Sequence, residues 1–259
     1  TKKKKKNDAK LPNLFILDFN GDMRASQVTA LREEVTAILL IAQPDDHVCV
    51  RLESPGGMVP HYGLATSQLK RLKDANLGIT ICVDKVAASG GYMMAVIGER
   101  ILAAPFAIIG SIGVVAQLPN FNRFLDKNSI DYEQLTAGEY KRTLTVFGKN
   151  TEEGREKMQE DINLTHDLFK NHITEHRGQI DIEKVATGEH WFATQAIELQ
   201  LVDSIKTSDD YLMEQRTTRR LVMVKYKMKT PKLKQLTSQA ANFIMNSQPA
   251  QLLVKKMGW

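Results

Sequence analysis

Residues 76–98, NLGITICVDKVAASGGYMMAVIG, constrain the fold more than any other stretch. An apolar, β-branched run over 79–83 passes through a short turn into a helix of small and flexible apolar residues, with Ser89, Gly90 and Gly91 at the joint. Two units of the same kind precede it. Residues 14–19 read as a strand, followed by a helix that Ser26 caps and that carries Val28, Leu31, Val35, Ile38 and Leu39 at helical spacing. Residues 47–52 read as a strand ending in Glu53-Ser54-Pro55-Gly56-Gly57, and the helix after it, to about Asn76, places Tyr62, Ala65, Leu69 and Leu72 on one face. Continuous apolar strands alternating with helices predict an α/β fold, a mainly parallel sheet with helices packed over it.

The rest of the chain continues in smaller pieces. The uncharged run 101–118 is long enough to resemble a membrane helix, but Pro105, Gly110, Ser111 and Gly113 divide it into buried strands and turns. A short helix over 120–128, a strand around 132–136 and a loop over 137–141 come next. Asn150-Thr151 opens a long charged helix with Met158, Ile162, Leu168, Phe169 and Ile173 on its buried side and His166, His172 and His176 on its solvated side. Residues 188–205 hold a helix from about Thr194 and a strand near Leu201. Cys49 and Cys82 each fall inside a buried strand as small hydrophobes, so neither a disulfide nor a metal site is expected.

The formal charge of +5 describes the ends and not the body. Residues 1–10 carry six lysines against Asp8, residues 216–259 carry ten basic residues and no acid, and 11–215 hold 19 basic against 29 acidic. The chain thus divides into a basic leader or juxtamembrane segment over 1–10, a globular body over 11–215 and a basic extension over 216–259. In the extension, residues 221–228 alternate apolar and basic, and 232–245 read as an amphipathic basic helix. Basic ends of this kind suit an anionic membrane surface or an acidic neighbour; without an aromatic-interleaved module, nucleic acid is not expected as a partner. The opening TKKKKK reads as a boundary, with any membrane anchor upstream of residue 1.

Ser89, at a strand-to-helix joint, is either an ordinary N-cap or a nucleophile placed where free N–H groups favour negative charge. A nucleophilic serine needs a base. No histidine lies between His61 and His166, and spacing suggests no carboxylate partner for His47 or His190. The elbow G-x-S-x-G has Ala87 at its first glycine position, and S-x-x-K has Tyr92 in place of lysine, so both templates fail. A distant lysine remains open as base, provided desolvation favours its neutral form.

Four motifs in order, ESPGG (53–57), DKVAASGGYMMA (84–95), GSIGV (110–114) and GEYK (138–141), resemble the bacterial signal peptide peptidase A family, and its SohB branch in particular. The likeness covers about residues 11–215. It implies a Clp protease/crotonase-like fold of repeated β-turn-α units around a mainly parallel sheet, and a Ser-Lys dyad peptidase without metal or cofactor. Carried onto this chain, the resemblance makes Ser89 the nucleophile and Lys141 the general base. Ser111 becomes the residue that orients the lysine amine, and the N–H groups of Gly57 and Gly90 become the oxyanion hole. Glu53 stands where much of the family has Asn before SPGG, as SohB-type members do. The resemblance further implies extended apolar peptides, such as signal-peptide remnants, as substrates of a homo-oligomer associated with the bacterial inner (plasma) membrane. The residues alone also admit a crotonase-like acyl-CoA hydrolase or isomerase, or a silent membrane scaffold.

Attraction of the basic extension to an anionic surface weakens steeply with salt. Its removal is expected to lower binding to anionic liposomes at low salt or to reduce the oligomer mass; a shortened chain unchanged in both measurements would refute this role.

Overall fold

A computed structural model describes residues 11–227 of the chain. In chain order the elements are β1 (Asn13–Asn20), α1 (Val28–Ile41), β2 (His47–Glu53), α2 (Val59–Asp74), β3 (Gly78–Val83), β4 (Val86–Ala88), α3 (Gly90–Ala95), β5 (Arg100–Ala103) and β6 (Ile108–Gly110). Then come α4 (Asn122–Lys127), α5 (Glu152–His176), α6 (Ile182–Val185), β7 (His190–Phe192), α7 (Ala193–Ala196), β8 (Ser204–Ile205), α8 (Ser208–Gln215) and β9 (Arg220–Met223).

Six strands form one wholly parallel sheet in the order β8-β5-β3-β2-β1-β9. Its central strands are mostly apolar because helices cover them: Leu17, Val48, Val50 and Ile81 are buried with Leu31, Val35 and Ile38 of α1 and Leu69 and Leu72 of α2. A second, three-stranded sheet, β4-β6-β7, pairs β6 with β4 in parallel and with β7 antiparallel. This is the mainly parallel architecture of repeated β-turn-α units expected from the sequence. Cys49 and Cys82 are free thiols packed beneath Tyr211 of α8.

Several local expectations are corrected. Ser26 does not cap α1; Gln27 occupies that position, and the Ser26 hydroxyl donates to Asp22 Oδ2 at 2.6 Å within the preceding turn. The third unit is not a plain strand-turn-helix, since residues 86–88 leave the first sheet and form β4 of the second before α3 begins. No strand forms around 132–136; the segment is exposed, and no neighbouring strand among the described residues pairs with it. Leu168 of α5 is 62% exposed, because the stripe that reaches the core runs through Phe169 and Ile173. The sheet takes in β9, beyond Gln215, and the chain divides into two units after Lys225. A cut that tests the basic extension therefore belongs after residue 227. The leader over 1–10 and the helix expected over 232–245 lie outside the described residues.

Helix α5 is capped at its start and anchored at its end. Thr151 caps its start by accepting from the Gly154 N–H at 3.1 Å. At the other end Arg177, 3% exposed, donates to both oxygens of Asp203, at 2.8 and 2.9 Å, and to the Gln200 carbonyl at 2.9 Å. Burial opposes the charge on Asp203, but the hydrogen bonds from Arg177 and the Ile101 N–H outweigh it and hold the carboxyl below its ordinary 3.8. A depressed carboxyl contributes stability above its unfolded pKa and loses it as pH falls through the folded value. Asp203→Asn is expected to cost about 3 kcal/mol at neutral pH by leaving the buried guanidinium short of a counter-charge. Guanidinium titrations should show that gap closing below the ordinary 3.8; a gap constant down to about pH 2 would contradict the linkage.

Candidate active site

The loop after β2 is fixed by one buried serine. Ser54 donates its N–H to the Val86 carbonyl at 2.8 Å, and its carbonyl accepts from the Ala88 N–H at 3.0 Å, bridging the two sheets. The Tyr62 hydroxyl gives its proton to the Asp22 carbonyl at 2.8 Å, so in the 2.6 Å contact between the two hydroxyls Ser54 is the donor. Its Oγ in turn accepts from the Gly56 N–H at 3.1 Å. Gly56 has φ +90°, and a Cβ there would lie 2.8 Å from the Gly90 nitrogen and 2.8 Å from the Ser89 Cβ. The glycine loop thus lies directly against the start of α3.

Ser89 stands at the N-cap of α3, with φ 52° and ψ −119°, a conformation that non-glycine residues rarely adopt and that its surroundings must enforce. The enforcement is backbone pairing: its N–H donates to the Gly110 carbonyl at 2.8 Å, and its carbonyl accepts from the Met93 N–H at 2.9 Å. Its side chain makes no capping hydrogen bond. The cap role that the sequence also allowed is therefore not taken up, and the hydroxyl is left for the cavity. Ser111, next to Gly110, also has a positive φ, 51°, and is held by its N–H to the Glu189 carbonyl at 2.6 Å.

These residues share one cavity of about 980 Å³, lined by Gly57, Ser89, Gly90 and Ser111, with apolar walls that include Met23, Met58, Met93, Ile162 and Phe169. Among the described residues the N–H groups of Gly57 and Gly90 have no acceptor, and the hydroxyls of Ser89 and Ser111 have no partner. Two free N–H donors beside an unpaired serine can stabilise an oxyanion formed at that serine. Along another wall, none of residues 113–118 gives or receives a backbone hydrogen bond. No group of three or more His, Cys, Asp or Glu among the described residues could hold a metal ion.

Lys141 is not brought into this cavity. It sits exposed on the largely exposed segment 118–150, where its N–H donates to the Gly138 carbonyl at 3.2 Å, and its amine has no partner among the described residues. Two histidines of α5 depart from the solvated side expected of them. His172 is half-buried against the Met93 carbonyl, 3.0 Å from its Nε2, and His166 lines the cavity. The spacing Ile162, His166, Phe169, Ile173 is itself a helical stripe, and that signal places His166 on the covered side.

Comparison with known proteins shows the family of the chain. Residues 71–221 match peptidase family S49, and residues 1–69 match the peptidase family S49 N-terminal region. The chain is similar to a probable protease SohB of Haemophilus influenzae, 53% identical over 92% of this chain and 68% of that protein. It is also similar to a probable protease SohB of Buchnera aphidicola, 57% identical over 78% of this chain and 66% of that protein. A putative protease of Methanocaldococcus jannaschii is 31% identical over 64% of this chain and 53% of its own length. The chain thus spans about two thirds of the length of the two SohB relatives.

The glycine loop carries its own test. A Cβ on Gly57 would collide with the Met23 carbonyl, and one on Gly90 with the Tyr62 ring. Gly57→Ala is expected to lower stability by about 1–3 kcal/mol through overpacking against main chain; an unchanged denaturation midpoint would refute that contact.

Proposed function

The chain belongs to peptidase family S49, and on that premise we propose that it is a serine endopeptidase working with Ser89 as nucleophile and Lys141 as base. The observation that carries the reading is the unpaired Ser89 hydroxyl, strained into the cavity beside the free N–H groups of Gly57 and Gly90. Ser89 Oγ adds to the scissile carbonyl and its proton passes to a neutral lysine amine. The carbonyl oxygen, now negative, takes hydrogen bonds from Gly57 and Gly90. Collapse of the tetrahedral species expels the amine product, which receives the proton from the lysine and leaves an acyl-serine. A water, deprotonated by the same amine, then releases the acid and restores Ser89. Ser111 orients the amine.

An extended peptide fits the unpaired backbone of residues 113–118, where it would add a strand, and its apolar side chains fit the Met- and Ile-lined walls. Signal-peptide remnants are peptides of that kind. The basic ends would hold the enzyme at an anionic membrane surface, where such peptides collect.

The position of Lys141 decides how the dyad assembles. Its arm exposes Leu118, Phe121, Phe124, Ile130, Leu135 and Tyr140, a run of large apolar side chains unusual on a free surface. On this reading the arm docks on a second copy of the chain and delivers Lys141 to that copy's Ser89, and the burial on docking favours the neutral amine.

Complementation tests both claims. Ser89→Ala and Lys141→Ala should each abolish cleavage of an apolar peptide, and Lys141→Arg, folded by circular dichroism, should be equally inactive. Co-assembled in equal amounts, the two alanine variants should recover about a quarter of wild-type turnover, since each site draws its serine and lysine from different copies. An inactive mixture would place the lysine in the same chain as its serine. Near-normal turnover by Lys141→Arg would remove lysine as the base, and failure of a fluorophosphonate to label Ser89 would favour crotonase-like chemistry or a scaffold.

A further inference from the structure

Helix α5 touches the core only through its C-terminal half, where Phe169 and Ile173 are 3% and 0% exposed. One and two turns earlier the same stripe leaves the core, and His166 and Ile162 become part of the cavity wall. His166 differs from the polar residues that precede it in the helix. Gln159 and Asn163 satisfy one another, Gln159 Nε2 donating to Asn163 Oδ1 at 2.9 Å. The His166 Nε2, by contrast, is shut off from solvent and has no hydrogen-bond partner among the described residues. A buried polar atom without a partner is disfavoured, and in a binding cavity the ligand is the group that can complete it.

We propose that His166 is a specificity-determining residue of the peptidase site, selecting peptides that carry a hydroxyl or carboxamide side chain at the position bound against α5. The chemistry of the imidazole picks out this class. Nε2 accepts in one neutral tautomer and donates in the other, and only a group able both to give and to take a hydrogen bond satisfies it in either. Ser, Thr, Asn and Gln side chains do so, and aliphatic ones do neither. The torsion between the Cβ and the ring is broad and roughly twofold, so a small turn brings Nε2 to a ligand without disturbing the helix. The flanking Ile162 and Phe169 are apolar. An otherwise apolar cleft thereby acquires one polar reading point. A site that must hydrogen-bond its substrate discriminates against the analogue lacking that group, because its own buried atom is left unpaired.

The inference rests on the peptidase reading, and the experiment separates the two. Full-length Ser89→Ala binds peptide without turning it over, so affinities can be read by fluorescence anisotropy on labelled apolar peptides. At successive positions these peptides carry either valine or its near-isostere threonine. Binding should favour threonine by about tenfold to hundredfold at one position. Ser89→Ala/His166→Leu should lose that preference, and Ser89→Ala/His166→Gln, which keeps a side-chain amide, should retain most of it. Melting curves of both double variants establish that they are folded. A threonine preference that survives His166→Leu overturns the proposal, as does the absence of any such position. A loss of affinity equal for all peptides overturns it too, since it would mean that the residue meets main chain or merely supports the wall. If Ser89→Ala binds none of the peptides, the peptidase reading falls and takes this inference with it.

Discussion

The site depends on the main-chain bridge between Ser54 and residues 86–88. Two backbone hydrogen bonds, Ser54 N–H to the Val86 carbonyl and Ala88 N–H to the Ser54 carbonyl, tie the end of β2 in the parallel sheet to β4 in the small one. The glycine loop leaves from one side of this bridge and Ser89 from the other, so the placing of Gly57 relative to Ser89 is governed by two strands. Buried backbone groups must be paired, and here the pairing itself fixes that spacing. The chain of hydroxyls from Ser54 through Tyr62 to the Asp22 carbonyl braces the same point from below. Substituting Ser54 would leave the Gly56 N–H and the Tyr62 hydroxyl each short of a partner.

The parallel sheet was legible because its signal is local and repeated. Each central strand is mostly apolar, and each covering helix has a stripe of period 3.6, as in Tyr62, Ala65, Leu69 and Leu72, all fully buried. Where the expectation failed, the deciding information was not local. Residues 132–136 have strand composition, yet no strand among the described residues lies alongside them, and composition does not supply a partner. Residues 86–88 looked like a turn because three residues carry too little pattern to reveal membership of a second sheet. Ser26 looked like a cap, but Asp22 four residues earlier captured its hydroxyl.

The site divides along the same line. Gly57, Gly90, Ser89 and Ser111 converge, and their types reflect close approach and backbone angles, which are properties of short segments. The motifs carried them for that reason. Lys141 came from resemblance alone, and nothing in the folded chain brings its amine to Ser89. A base contributed by another copy leaves no trace in the hydropathy of one chain beyond the exposed apolar residues of its arm. His166 shows the reverse failure: its spacing with Ile162, Phe169 and Ile173 marked it as covered, but a charged helix invites the assumption that its histidines face water.

The two walls of the cavity are built to different tolerances. On one side Ser89 and the neighbouring end of β2 are held by main-chain hydrogen bonds, which side-chain exchange alters little. On the other, α5 is held near its C-terminal end by Phe169, Ile173 and the Arg177–Asp203 pair, and His166 and Ile162, one and two turns before Phe169, line the cavity. Reaction geometry needs the first kind of wall, because an oxyanion donor displaced by a fraction of an ångström loses much of its effect. Choice among peptides needs the second, because side chains of different size must be accommodated before one is preferred. If α5 reads the peptide as proposed, recognition can change along its stripe while the strained serine and its glycines stay as they are.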